Sequence, residues 1–291
     1  MFAPTLDLII ANGRQETAAS VSHLVKLLCQ TWKKHPVEEP ISVLDLCTGT
    51  GCIPLLFHNE LFKQTLQPNI ARIVGVDISP LALALAEENK SIQLREQERL
   101  GAPDSPRLQL LQNIQFIQSD VLADDPDDFA EPLLNLKGRE PPMLDYEIIT
   151  CNPPYISSSA YRQTTEASVR KYEPKLALVP PSERTIPGLD NTTKENKAND
   201  GDLFYPKLLE IAGLCDTRVI LFEVADMEQA CRVASMVDSF GWPVEIWRDD
   251  PEASNGEEFV DFNGSKIRVF GQGNGRSVVV NTDRNRDWLR G

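Results

Sequence analysis

The sequence predicts a doubly wound α/β fold, a mostly parallel sheet of seven strands with helices on both faces. Three observations carry this. Short, wholly apolar runs alternate with stretches of helical period along most of the chain. The apolar runs lack the in-and-out alternation of a sheet with one wet face, so both faces must be covered, as parallel strands with crossover helices achieve. The first run also passes straight into a glycine turn and a helix, the strand-turn-helix unit of such folds.

The elements follow in order. Residues 16–32 read as an amphipathic helix with Val21, Leu24, Val25, Leu28 and Trp32 on one face. The first strand, 41–46, enters the glycine turn, and 53–62 continues as a helix. A second buried strand, 73–76, ends at Asp77. Ser79-Pro80 then supplies an N-cap and a proline at the first helical position, opening a helix to about residue 94. Strands are expected at 114–117, 146–150 and 219–224, with helices at 201–214 and 226–240 flanking the last of these. Strands at 244–247 and 277–280 complete the seven. Four stretches break the alternation, 97–113, 123–143, 182–200 and 249–258; rich in Pro, Asp, Glu, Asn or Gly, they read as surface excursions. The run Asp124-Asp125-Pro126-Asp127-Asp128 reads as a solvated loop.

Of the 291 residues, 41% are hydrophobic and 25% charged, close to the soluble globular average and enough to bury a full core. This excludes a mainly disordered, collagen-like or disulfide-stapled chain. The 29 basic against 43 acidic residues leave a net charge of −14, which argues against a non-specific nucleic-acid binder. Cys29, Cys47, Cys52, Cys151, Cys215 and Cys231 form no CxxC pair and several lie in apolar runs, as buried thiols of a reducing compartment do. His23, His35 and His58 show no metal-ligand spacing with them, so no metal site is expected. No apolar stretch approaches the roughly 20 residues that span a bilayer. The first twenty residues hold Asp7 and Glu16 and a single basic residue, Arg14, unlike a transit or secretory peptide. A cytosolic protein, or a chain whose natural start lies upstream, is expected.

Three motifs carry chemistry. In Asp45-Leu46-Cys47-Thr48-Gly49-Thr50-Gly51 a strand runs into a turn whose glycines allow positive φ and close approach of a ligand. The full GxGxxG spacing and a following GK[ST] are both absent, which disfavours a dinucleotide or P-loop site. Next, Gly75-Val76-Asp77 sets an acid at the end of the second strand, where a ribose-binding carboxylate belongs in a doubly wound fold. The same acid also suits a helix start, through capping and the helix dipole. Together with Asp45 and the glycine turn, nucleoside binding is the better reading. The third motif is Asn152-Pro153-Pro154-Tyr155 after the fourth strand. Two prolines remove two donors and stiffen the chain, so carbonyl oxygens stay available beside the Asn amide. That set can grip a planar NH₂ group by both hydrogens, with Tyr155 as a flat apolar wall.

At these residues the chain resembles the class I S-adenosylmethionine-dependent methyltransferases that act on exocyclic or amide nitrogen, and within them the HemK-type release-factor glutamine N5-methyltransferases. DLCTGTG, GVDIS, QSDVL and NPPY occur in the family's order. Tyr172-Glu173-Pro174-Lys175-Leu176-Ala177-Leu178 matches its Glu-Pro-x-x-Ala-Leu segment, and Asp200-Gly201-Asp202-Leu203-Phe204-Tyr205 its DGLxFY stretch with one extra residue. Arg14-Gln15-Glu16-Thr17 is similar to the end of its Pro-Arg-x-Glu-Thr-Glu motif. The resemblance covers about residues 9–281 and is closest to fungal organellar members. Departures are Cys47 where glycine is commonest, Asn12-Gly13 in place of Ile-Pro, and 182–198 inserted before DGDLFY.

The resemblance implies a Rossmann-like class I methyltransferase domain over 37–291, its last strand antiparallel, with 1–36 as a remnant of the family's N-terminal region. It implies S-adenosylmethionine as cofactor, with Asp45, Thr48, Gly49 and Gly51 at its methionine end. Asp77 and Ile78 would stand at the ribose, and Asp120 and Val121 at the adenine. Asn152, which would also touch the cofactor, and Pro153, with Pro154 and Tyr155 beside them, would orient the substrate amide, while Arg14, Glu16 and Thr17 would lie at the substrate mouth. The implied acceptor is the glutamine of a Gly-Gly-Gln tripeptide in a peptide chain release factor, and the implied compartment the mitochondrial matrix. Two rivals remain: an adenine-N6 methyltransferase on DNA or RNA, which the acidic charge opposes, and a non-catalytic S-adenosylmethionine-binding relative.

Overall fold

The computed structural model describes residues 15–36, 39–99, 105–136, 144–163, 165, 167–181, 199–253, 256, 258–282 and 289. The elements are α1 (Gln15–Lys34), β1 (Ile41–Leu46), α2 (Cys52–Gln64), β2 (Ile70–Asp77), α3 (Pro80–Arg99), α4 (Pro106–Gln112), β3 (Gln115–Gln118), α5 (Pro126–Leu134) and β4 (Ile148–Cys151). They continue with α6 (Ser158–Gln163), α7 (Ala167–Tyr172), α8 (Phe204–Leu214), β5 (Val219–Glu223), α9 (Met227–Asp238), β6 (Val244–Asp250), β7 (Glu258–Phe262), β8 (Ser265–Phe270) and β9 (Gln272–Asn281). Short 3₁₀ turns occupy Lys175–Ala177 and Asp200–Asp202.

The doubly wound α/β architecture is as expected, but the sheet has nine strands rather than seven, in the order β3-β2-β1-β4-β5-β9-β6-β8-β7. β3, β2, β1, β4 and β5 are mutually parallel, and β9 inserts antiparallel between β5 and β6. The two extra strands, β7 and β8, form an antiparallel hairpin whose second strand pairs parallel with β6. Its two-residue loop is Asn263-Gly264, with φ of 50° and 85°. Both values are positive, as the hairpin turn that matches strand twist demands.

Strand residues divide between two cores by strict alternation. Leu44, Leu46, Ile220, Phe222, Val278 and Val280 join one cluster with α5, α8 and α9. Ile41, Val43, Val219, Leu221 and Val279 join the other, with Val21, Leu24, Val25 and Leu28 of α1 and Leu55, Phe57 and Leu61 of α2. α1 is thus built into the main core on one face.

The expected excursions hold more structure than their composition suggests. Within 97–113 lies α4, capped by Ser105, whose Oγ accepts from the Leu108 amide at 3.2 Å. Within 123–143 the acidic run is no loop but the start of α5: Asp125 accepts from the Asp127 amide at 3.0 Å and Pro126 opens the helix. Acids there face the positive end of the helix, which explains the run. Of 249–258, Asp249 and Asp250 end β6 and Glu258 begins β7. Residues 182–198 lie outside the described residues. All six cysteines are free, four of them buried. Among the described residues no helix is long and apolar enough to cross a membrane, and no His, Cys, Asp and Glu cluster is arranged to hold a metal ion.

His58 on α2 ties the second core to α4: its Nε2 lies 2.8 Å from the Arg107 carbonyl in a nearly closed site. Burial, then the Arg107 charge, lowers its pKa from 6.5 to about 4. The unfolded chain therefore binds a proton near pH 6.5 that the folded chain refuses until about pH 4. Stability must fall as pH drops through that window, by on the order of 3 kcal/mol at full extent. Urea midpoints at pH 7.5 and 5 should separate more in the wild type than in His58→Gln; equal separations would refute it.

Candidate functional site

Because both faces of the central strands are covered, polar side chains can approach ligand only where the strands end. The carboxyl ends of β1, β2, β4 and β5 gather them, at the reversal of strand order between β1 and β4 where such sheets bind ligands. Asp45, next to last in β1, is fully buried and opposite Thr150 of β4, whose hydroxyl donates to its Oδ1 at 2.6 Å. Among the described residues Asp45 Oδ2 makes no hydrogen bond. Burial, against the pull of the Thr150 and Thr48 hydroxyls and with a smaller push from the Asp77 charge, raises the Asp45 pKa from 3.8 to about 7. A buried carboxylate oxygen without a donor is a site prepared for a cationic or N–H donor group.

The glycine turn lies beside it. Gly49 has φ of 55°, and a Cβ built there meets nothing within 4 Å, so the backbone stands open to a ligand. Gly51 differs. It is buried, and a Cβ there would lie 2.6 Å from Phe116 and 3.0 Å from Ala86, so its bareness serves the packing of α3 and β3. Thr48 is buried, its amide donating to the Val76 carbonyl at 2.9 Å. Asp77 Oδ2 accepts from the Gly49 amide at 2.8 Å and its Oδ1 from the Ser79 amide at 2.9 Å. The cap of α3 is Ser79, whose Oγ accepts from the Ala82 amide at 3.3 Å; Asp77 fixes the glycine turn and the entry to Ser79, and each of its oxygens keeps a lone pair for a hydroxyl. Ile78, next in the chain, is 46% exposed. Asp120 accepts from the Leu122 amide at 2.9 Å in the turn after β3, and Val121 is buried.

On the other side of β1, β4 ends in Asn152-Pro153-Pro154-Tyr155. Asn152 is half-buried, and among the described residues neither its amide nor the Pro153 carbonyl has a hydrogen-bond partner. Pro153 and Pro154 are buried. Tyr155 is packed in the interior at 5% exposure, its hydroxyl donating to Glu223 Oε1 at 3.0 Å, so its ring supports the loop from behind rather than standing free as a wall. The Tyr155 carbonyl accepts from Gln229 Nε2 at 3.2 Å, and Gln229 also donates to Asp202 at 2.8 Å. Gly201 lies so close that a Cβ there would come within 2.3 Å of the Tyr155 carbonyl oxygen.

Of the residues expected at the substrate mouth, Arg14 lies outside the described residues and Glu16 is half-buried on the first turn of α1. Thr17 turns inward, its hydroxyl donating to Glu223 Oε2. Glu223 and Gln229 were not singled out in the sequence, and Thr150 and Gly201 figured there only within longer stretches, with no role of their own. Glu223 has the signal that marked Asp77, an acid ending an apolar strand.

Cys47 adopts φ of 58°, a left-handed conformation that costs a residue with a Cβ about 1–2 kcal/mol. Glycine, which the resemblance implies at that position, adopts this conformation without strain. Cys47→Gly should stabilise the chain by roughly 1 kcal/mol, raising the thermal midpoint by about 2 °C. A lower midpoint would show that the thiol's packing outweighs the strain.

Comparison with known proteins follows the same lines. No family model matches the chain. A probable MRF1 mitochondrial N(5)-glutamine methyltransferase of Schizosaccharomyces pombe is 30% identical over 221 residues, 72% of this chain and 56% of its own length. A release factor glutamine methyltransferase of Fusobacterium nucleatum is 28% identical over 213 residues, 72% of this chain and 42% of its own. A ribosomal protein uL3 glutamine methyltransferase of Francisella tularensis is 32% identical over 142 residues, 49% of this chain and 32% of its own. The chain spans about half the length of the first two. Motif order and sequence likeness agree: over 72% of its length the chain is similar to proteins named as glutamine methyltransferases.

Proposed function

We propose that this protein transfers a methyl group from S-adenosylmethionine to the side-chain amide nitrogen of a glutamine in a protein, and that the protein is a peptide chain release factor modified in its Gly-Gly-Gln loop. The observation that carries the reading is the unpartnered Asn152 amide and Pro153 carbonyl, held by a buried loop at the end of β4 beside the Asp45 and glycine-turn cradle. The residues fit the cofactor: Asp45 Oδ2 awaits a donor, Gly49 leaves room, and Asp77 has lone pairs left for hydroxyls. Asp45, Thr48, Gly49, Asp77, Ile78, Asp120 and Val121 would hold it, and Gly51 would act through packing. When bound, S-adenosylmethionine supplies an electrophilic methyl on its sulfonium.

What the chain's own residues must do follows from the weakness of the nucleophile. An amide nitrogen shares its lone pair with the carbonyl, so it attacks poorly. Gripping both N–H bonds through the Asn152 carbonyl oxygen and the Pro153 carbonyl holds the nitrogen in place, and positioning of this kind can lower a barrier by several kcal/mol. The same acceptors stabilise positive charge as it grows on nitrogen. No side chain is required as a base, since water can take the proton after transfer. The net charge of −14 suits a protein substrate better than a nucleic acid. Following the fungal relative named mitochondrial, we place the activity in the mitochondrial matrix.

Peptide mass spectrometry of a Gly-Gly-Gln release factor incubated with this protein and S-adenosylmethionine tests the reading. A gain of one methyl on that glutamine is expected, abolished by Asn152→Ala with cofactor binding intact, whereas Asp77→Ala weakens binding. Methylation of a ribosomal protein glutamine instead would keep the chemistry and change the partner, a possibility raised by the uL3-modifying relative. No methyl transfer to either would overturn the proposal.

Asp45 adds a pH dependence. With its pKa at about 7, the carboxyl is partly protonated near neutrality, and a bound cation favours the ionised form. Cofactor affinity should therefore rise with pH up to about 7 and level off above it, by at most about tenfold per pH unit. Titration calorimetry from pH 5.5 to 8.5 measures this, with Asp45→Asn as control. A slope unchanged in the variant would remove Asp45 from the account.

A further inference from the structure

We propose that Glu223 is a positioning residue for the transfer, a clasp that joins the substrate-mouth helix α1 to the Asn152–Tyr155 loop. The inference rests on the proposed glutamine methylation and goes beyond it by coupling two parts of the site through one side chain. Glu223 is the last residue of β5 and 4% exposed. β4 and β5 run parallel with Cys151 beside Phe222, so one further step puts Asn152 beside Glu223. On its other side Glu223 pairs with Ser277 of β9.

The two carboxylate oxygens reach in different directions. Oε1 accepts from the Tyr155 hydroxyl at 3.0 Å, and Oε2 from the Thr17 hydroxyl. Tyr155 belongs to the core on one face of the sheet, whereas α1 belongs to the core on the other. Glu223 therefore bridges the two layers around the end of the sheet. A second tie at the same level, Ser20 Oγ to Ser277 Oγ at 2.8 Å, holds the next turn of α1 to the strand beside Glu223. The Tyr205 hydroxyl donates to the Glu223 carbonyl at 2.9 Å, which fixes the backbone that carries the clasp. The cavity between Thr17, Ser20, Thr150, Glu223 and Ser277 is only about 10 Å³, so little room remains for these groups to rearrange.

The consequence is functional. Asn152 can hold an amide in line only if the loop after it is still, and Tyr155 is the loop's anchor. Glu223 fixes that anchor and, with its other carboxyl oxygen, sets the first turn of α1, where Glu16 and Thr17 sit. Loss of the clasp should loosen both together while leaving the Asp45, Gly49 and Asp77 cradle in place.

The test uses the full chain with a Gly-Gly-Gln release factor, measured by methyl transfer and by hydrogen-exchange mass spectrometry. Glu223→Ala should lower kcat by about 100-fold, the cost of a small misplacement of reacting groups, with the dissociation constant for S-adenosylmethionine unchanged. Glu223→Gln, which can still meet both hydroxyls, should recover about tenfold of the loss, the worth of one hydrogen bond. Exchange should speed up in peptides covering 15–24 and 152–158 together. Tyr155→Phe and Thr17→Val each remove one arm, and keep the test open if Glu223→Ala does not fold. The former should lower kcat, the latter raise KM for the protein substrate, and their combination should be non-additive. Wild-type kinetics in Glu223→Ala, loss of cofactor binding along with transfer, or exchange altered in only one of the two segments would overturn the clasp. If the wild type itself transfers no methyl, the functional reading fails, and the paired exchange response still decides whether the clasp exists.

Discussion

The burial of both faces of β1, β4 and β5 is the constraint on which the rest of the molecule depends. Every residue of these three strands is buried, so a polar side chain within them must find a partner at once or stand where the strand ends. Asp45, Thr150 and Glu223 occupy those ends, and Thr150 satisfies one oxygen of Asp45 while Tyr155 and Thr17 satisfy both oxygens of Glu223. The chemistry is therefore confined to one edge of the sheet. The exception among the described residues of this edge is Asp45 Oδ2, the oxygen to which the proposed cofactor contact is assigned.

Stability and function draw on the same atoms at this edge. Asp77 holds the Ser79 amide at the entry to α3 and pins the Gly49 amide, so the acid proposed for the ribose also gives the glycine turn its shape. Preorganisation of this kind reduces the ordering that binding would otherwise require. Cys47 shows the opposite balance: a left-handed backbone is retained with a side chain that disfavours it. Gly51 and Gly75 are bare for packing, since a Cβ on either would enter the ring of Phe116.

Much of the fold was legible because its central strands are contiguous apolar runs, and the ends of β1, β4 and β5 fall within about two residues of where the pattern set them. The hairpin β7–β8 was not, although Asn263-Gly264 is a strong turn signal. Its strands lie at the edge, where exposed residues such as Glu258 and Phe259 dilute the apolar pattern. Helix α5 was hidden for a related reason: Asp125-Pro126-Asp127-Asp128 has the composition of a loop because a capped helix start uses the same residues.

The motifs to which the cofactor and substrate are assigned stand out in the sequence because each is a short string at the end of a strand. Their glycines, prolines and acids act through local backbone geometry, which neighbouring residues specify by themselves. Tertiary structure alone decided what lies behind them. Thr17 and Glu223 are 206 residues apart in the chain, Ser20 and Ser277 are 257 apart, and no local pattern encodes such a meeting. Only the parallel register of β4 with β5 and the packing of α1 across their ends bring these hydroxyls and the carboxylate together.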